Sequence, residues 1–474
     1  MKQLLPLLLL SMMPFFCLCQ RIGIGTTSPN PSAILDMNSD NKGMLMPRMT
    51  TAQRKTIATP AQGLMVFDID KSAIYLYDGT KWVPMLFSAN ENLVPPVTRQ
   101  ASDAVTGNYL GHSVGISGDY AVVGLQPNAN AVGAAYIFFR NAGVWQQQAK
   151  LIASDGFTGN CFGVSVGISG NEVIVGAGNS SNGKAYVFSR SGTNWTETAK
   201  LSANDGAPGD HFGHSVSISG NYAIVGAPYQ TVSGNANQGS AYIFFRNTGW
   251  ITGQAHQARL LAPDGAIGDI FGKAVSISGD YAIIGAPADD AEYSNQGAAY
   301  VYGRVGGNWP NLAKLKGLLS PNRWFGSSVS ISGDYAIVGA PYELVPIYES
   351  GVTGSAYIFY GGAGWSTGQS PQATLFSSNN NTLNDRFGSG VHISGDYAIV
   401  GAWSYDSPGN LDQGNACLYK RNGTSWLFVR RVDDNSGETG GLFGWSVGIS
   451  GFNVVIGATG KNAGKGELHF LNVE

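Results

Sequence analysis

Asp155, Asp205 and Asp264 stand in "SDGFTGN", "NDGAPGD" and "PDGAIGD", three polar stretches of one pattern. A carboxylate in such a loop could donate an oxygen to Ca²⁺, which takes about six to eight of them. One carboxylate per loop falls far short. Asp-Gly is also a turn former whose side chain accepts local backbone N–H groups, and this reading is the stronger. Asp-Ile-Asp at 68–70 reads as turn chemistry too. The adjacent acids Asp289-Asp290 and Asp433-Asp434 sit in polar loops, where neighbouring carboxylates are solvated. Glycoside hydrolysis instead needs two acids about 5–10 Å apart across a cleft. Among the six histidines, His112, His214 and His392 fall in candidate first strands, and their order argues for no catalytic triad. Cys161 and Cys417 read as unpaired thiols, and no Cys-x-x-Cys pair or Cys/His cluster suggests zinc. The expectation is a protein without enzymatic activity, bound metal or cofactor.

The elements that would carry these residues are written repeatedly. "FGSSVSISGDYAIVGAPY" at Phe325–Tyr342 has close copies starting at Phe212, Phe271 and Phe387. Seven units share a marker glycine: Gly111, Gly163, Gly213, Gly272, Gly326, Gly388 and Gly444, with Leu110 replacing the usual Phe in the first. Such a period is too long for the common helical repeats and suits a four-stranded blade. "SVSIS" and "YAIVGA" alternate or run apolar, rich in Val, Ile and Tyr. Ser-Gly-Asp or Ser-Gly-Asn between them suits a two-residue hairpin. A third strand follows, such as Ser355–Tyr360, and a fourth begins near a Trp, as in Trp195–Leu201.

A lone blade cannot bury both faces, so blades must pack radially. The last unit stops after its third strand. "TRQASDAVTGNYLG" at Thr98–Gly111 matches the junction "AKLIASDGFTGNCFG" at Ala149–Gly163, which makes it the missing outer strand. The predicted fold is all-β: a seven-bladed β-propeller of four-stranded blades over residues 98–474, closed by an N-terminal strand. A small, mostly β module over 20–88 and a linker over 89–97 precede it.

The series "FG.SVSISGDYAIVGAP…G.AYIF" resembles the FG-GAP repeat, the blade unit of integrin α-subunit propellers and of many bacterial surface proteins. The resemblance implies adhesion and ligand binding. Some integrin blades bind Ca²⁺ with a Dx[DN]xDG-type loop between the first two strands. Here all seven hairpins are minimal, with at most one carboxylate each, so those sites are not carried over. The Gly-Ala-Pro half is complete at Pro228, Pro287 and Pro341 and altered at Leu125, Gly178, Trp403 and Thr459. The segment "GIGTTSPNPSAILDMN…MPRMTTAQR…YDGTKWV" separately resembles an N-terminal module of bacterial secreted and tail-fibre-like proteins.

Only 12% of the 474 residues are charged, against roughly 25% on average, and Gly numbers 66. Both suit a turn-rich all-β chain. A net charge of −3 gives no case for nucleic acid. Met1–Cys19 has the form of a signal peptide: Lys2, an apolar run, then Cys17 and Cys19 as small residues before cleavage. An uncleaved anchor and a lipid-modified Cys are the alternatives left open. No other stretch is long and apolar enough to span a bilayer. In the front module, Thr51–Thr59 reads as a short helix capped by Thr50 or Thr51 and stopped by Pro60, followed by a hairpin. With about 70 residues its core is small, so it should lean on the propeller or self-associate with copies of itself.

The connections from second to third strand vary most. Variable loops on a rigid frame are where binding tends to sit. Tyr229, Tyr342, Tyr348, Trp403 and Tyr405 lie in or beside them and are the candidate ligand-binding residues. Trp403 leads, because it replaces the Pro that three sister units keep. Capping of the ring is an equal reading of these loops. The expected function is a secreted or cell-surface binding or adhesion protein whose propeller loops take an extracellular protein or glycan. A carbohydrate-active enzyme, lyase or hydrolase, on the same scaffold and a structural or assembly component are the alternatives.

Overall fold

The computed structural model describes residues 22–24, 27–28, 35–39, 41, 43–70, 73–84, 96–126, 132–178, 183–290, 293–317, 322–343, 354–377, 385–406, 411–434 and 438–473. The chain divides into two compact units, Met1–Phe87 and Ser88–Glu474. No helix among the described residues is long and apolar enough to cross a membrane.

In the first unit, Ile22–Ile24 pairs in parallel with Leu35–Met37. A four-stranded sheet joins Arg48–Met49, Met65–Asp68, Ala73–Tyr77 and Trp82–Pro84. The helix is shorter than the sequence suggested, Thr51–Lys55, with Thr50 and Gln53 forming a capping box. Asp68 is more than a turn residue. It is fully buried and pairs with Arg54 at 2.8 Å, and the guanidinium lies over the Tyr75 ring. A small core can hold such a charge only with its partner beside it.

The second unit is built of repeated four-stranded antiparallel sheets, an arrangement of the β-propeller kind, with seven such sheets among the described residues. Six run in simple chain order, the first comprising Leu110–Ser117, Tyr120–Leu125, Ala135–Asn141 and Val144–Leu151. The last combines both ends of the unit. Phe443–Ser450, Asn453–Ala458 and Glu467–Asn472 are joined by Val97–Arg99, with Leu468 opposite Arg99 and Phe470 opposite Val97. Each first hairpin turns on two residues. In the fifth sheet Ser332 faces Tyr335, and only Gly333 has positive φ, at 56°. A glycine in the first central position is the II′ arrangement, which matches strand twist.

Two sets of contacts, repeated seven times, join neighbouring sheets. The serine that ends each first strand accepts a hydrogen bond from the turn glycine of the next sheet. Gly170 N–H donates to Ser117 at 3.1 Å and Gly333 N–H to Ser278 at 3.2 Å. The series ends with Gly118 N–H on Ser450 at 3.0 Å, between the first sheet and the last. The glycine of each "VGA" or equivalent faces the backbone of the next marker glycine. A Cβ on Gly339 would strike the Gly388 carbonyl, and one on Gly457 would strike Gly111. The marker Phe side chains insert between sheets and are 0–3% exposed. Farther out, the fourth-strand tryptophans meet second-strand tyrosines of the preceding sheet, as Trp426 does Tyr335 with centroids 5.9 Å apart. The first strands of all seven sheets line one channel.

Candidate functional site

The residue before each marker Phe or Leu has positive φ, although none is glycine. These residues are Tyr109, Cys161, His211, Ile270, Trp324, Arg386 and Leu442, at 47–59°. The marker glycine beyond adopts 85–100°. Left-handed backbone in non-glycine residues costs of order 1 kcal/mol each and persists only where the surroundings impose it. Here the buried Phe between sheets imposes it. The kink leaves the residues on either side of Phe-Gly free to vary in a frame that otherwise hardly changes.

These flanking positions gather around one cavity of about 630 Å³, a size suited to a small ligand. His112, His214, Lys273 and Trp445 line it from the position after the glycine, and Trp324 and Arg386 from the position before the Phe. Tyr342 and Trp403 add the position after Gly-Ala and its neighbour. The chain has ten tryptophans. One is in the front module, and six occupy the repeating fourth-strand position or its equivalent. The remaining three, Trp324, Trp403 and Trp445, all line this cavity. Trp403 and Trp445 lie 5.3 Å apart at 50°, and His112 approaches Trp445 at 5.7 Å. On the other side Trp324 meets Tyr342 at 5.6 Å, and the Arg386 guanidinium lies 4.0 Å over the Tyr342 ring.

The cavity's charge is positive. Among its described lining residues no carboxylate stands beside Lys273 and Arg386. Burial lowers the Lys273 ammonium from its ordinary range. Burial, and then the charge of Lys273, hold His112 at about 4 and His214 at about 3, so both are neutral near pH 7. His214 Nδ1 is buried without a hydrogen-bond partner. A second space, about 360 Å³, lies along the channel toward the hairpin turns. Its serine ring repeats in every sheet and is engaged with the turn glycines.

The structure divides the five aromatic candidates. Trp403 and Tyr342 line the cavity. Tyr229 stands next to it, its ring edge-on to His211 at 4.8 Å and to His214 at 6.5 Å. Tyr405 is 4% exposed and belongs to the packing between two sheets, with Arg431 over its ring. It is therefore a core residue. Tyr348 lies outside the described residues, as do Met1–Cys19 and most of the linker. His112 lies in a first strand and His214 just before one, as expected, and both follow a marker glycine and line the cavity. The signal for it was legible: the most variable letter inside "FGxSVSIS".

The Asp-Gly carboxylates do more than cap their own turns. Asp155 accepts from the Tyr186 hydroxyl at 2.9 Å and pairs with Lys184 at 2.6 Å. Asp103, Asp205 and Asp264 each engage the matching third-strand tyrosine and fourth-strand cation, as in Asp264 with Tyr300 and Lys314, both at 2.7 Å. The oxygens that might have met a metal are thus held by protein cations. The loop acids are not simply solvated either. Asp289 and Asp434 are each 4% exposed and pair with the buried Lys314 and Lys461. A carboxylate this deeply buried stays charged only with a cation beside it. Cys161 is half-buried and Cys417 is buried.

A family model described as "FG-GAP repeat" matches residues 100–138, 145–188, 195–244, 255–302, 320–359 and 370–419, together more than half of the chain. A second, described as "Phage tail like trimerisation region", matches residues 23–100. No curated protein matches the chain.

Proposed function

The chain belongs to the FG-GAP repeat family, and we propose that it is an exported, non-enzymatic binding protein. In this reading its seven sheets close into one propeller, and an extracellular ligand sits in the cavity flanked by Trp403, Trp445 and Lys273. The observation that carries it is the gathering of all three tryptophans outside the repeating positions at one cavity. The inter-sheet contacts that repeat in every sheet are made by constant residues, and Trp403 and Trp445 add to them at one place only. The strand Val97–Arg99 on the last sheet and the Gly118–Ser450 hydrogen bond support closure. The signal-like Met1–Cys19 supports export to the surface or beyond. Two-acid hydrolysis would need carboxylates that the described lining does not offer.

The test is a screen of the full chain against glycans and extracellular proteins, repeated with variants. For a bound probe, Trp403→Ala with Trp445→Ala should weaken binding at least tenfold, about 1.4 kcal/mol, and leave melting nearly unchanged. Tyr405→Ala should do the reverse, costing stability by about 3 kcal/mol or more and sparing affinity. The opposite pattern would move the site away from this cavity.

A structural role is the second reading, favoured by the trimerisation-region match over residues 23–100. In it the front module joins three chains and presents three cavities together. Sedimentation equilibrium should give a three-chain mass for the full chain and a one-chain mass once residues 23–88 are deleted. A one-chain mass for both would remove this role.

A further inference from the structure

We propose that the cavity takes a carboxylated sugar, its carboxylate on Lys273 between His112 and His214 and a ring face on Trp403 and Trp445. The inference rests on the reading of this cavity as a binding site and names the ligand's class.

The charge argument comes first. Lys273 is half-buried and has no ion-pair partner among the described residues. The same fold neutralises three other buried cations, Lys314 with Asp264 and Asp289, Arg323 with Glu343 and Lys461 with Asp434, although Arg430 is buried without such a pair among the described residues. Leaving a partly desolvated ammonium unpaired is costly, and an anion arriving from outside removes that cost. Sister units hold Val164, Ser327, Ser389 and Trp445 at this position, so the frame does not demand a lysine. The two imidazoles, kept neutral by their surroundings, each carry one N–H that can donate to a carboxylate oxygen.

The shape argument selects a sugar over a protein. A stable protein interface buries about 800 Å² on each partner, whereas this is a concave space of about 630 Å³. Trp403 and Trp445, tilted at 50°, offer two flat apolar faces at its wall. Gln126, Ser327 and Ser389 supply neutral donors and acceptors suited to hydroxyl groups. Flat apolar faces, scattered neutral polar groups and one unpaired cation match a pyranose ring bearing a carboxylate.

Calorimetric titration of the full chain tests this with trigalacturonate, a hyaluronan tetrasaccharide and 3′-sialyllactose. Neutral galactotriose and lactose serve as counterparts. At least one acidic probe should bind at least tenfold more tightly than its neutral counterpart, and salt should weaken it. Lys273→Ser copies the residue of two sister units, so folding should be retained. It should remove the preference for acid while leaving weak neutral binding in place, and Lys273→Arg should restore part of it. Trp403→Ala should weaken acidic and neutral probes alike. Neutral sugars binding as well as acidic ones, with loss in Trp403→Ala, would overturn the anionic ligand but keep the cavity as a site. Acidic binding unaffected by both Lys273→Ser and Trp403→Ala would overturn the cavity itself. Binding of none of the three acidic probes would overturn the proposal.

Discussion

Gly339 and Gly333 share one hairpin yet answer to different constraints. Around Gly333 nothing lies within 4 Å of an added Cβ, and only its positive φ of 56° restricts it. That backbone is strained for any side chain, so Gly333→Ala should cost about 1–2 kcal/mol. A Cβ on Gly339 would meet the Gly388 carbonyl of the next sheet and the Ser328 hydroxyl. Backbone cannot yield as a flexible side chain can. Gly339→Ala should therefore cost about 3 kcal/mol, read from urea unfolding of the two variants side by side. Similar losses for both would show that the sheets approach each other less closely than this.

At the scale of the strand, three residues close the last sheet. Val97–Arg99 pairs with Leu468–Phe470, and Arg99 donates to the Trp145 carbonyl at 2.7 Å. Trp145 stacks on Phe470 with centroids 4.4 Å apart, so the added strand also covers a seam between first and last sheets. A chain starting at Ala89 should melt as the full chain does. One starting at Gly107 loses the strand and exposes a raw edge, so it should melt far lower or aggregate. Thermal scans with light scattering decide it, and equal melting of both chains would sink closure by this strand. The matched stretches run from a fourth strand into the first three strands of the next sheet, as 145–188 does, so the family model and the sheets divide the chain at different points.

For the whole molecule, buried imidazoles set the response to acid. Burial holds His112, His392 and His469 at about 4 and His214 at about 3, against an ordinary 6.5. Between those values the unfolded chain binds protons that the folded chain refuses. Their contribution is complete above about pH 6.5 and is lost as pH falls toward 4. Asp269 works the other way. Burial raises it to about 6, so the folded chain takes up its proton first and gains stability as pH falls below 6. Glu343, also raised by burial, adds to that side. His211 is lowered by burial as well, so five imidazoles against two carboxyls leave a net loss, and one pKa unit is worth about 1.4 kcal/mol. Calorimetry should show melting fall steadily from pH 7 to pH 4.5. A flat profile would mean that these histidines titrate like exposed ones.

The sequence by itself determined the repeat, the hairpin turns and the strand that pairs across the chain ends. These depend on local pattern: alternation, glycine at a turn, a motif written again. Trp403 was also legible, as an aromatic where sister units keep Pro. It did not determine that His112, His214, Lys273 and Trp445 meet, or that Tyr405 is buried. Those facts depend on which way a side chain points once seven sheets pack, which no spacing along the chain encodes. The Asp-Gly loops show the same boundary. Their turns were readable, while their carboxylates' partners, a tyrosine and a lysine some 30 to 50 residues away as for Asp103 and Asp264, were chosen by the antiparallel register of the third and fourth strands.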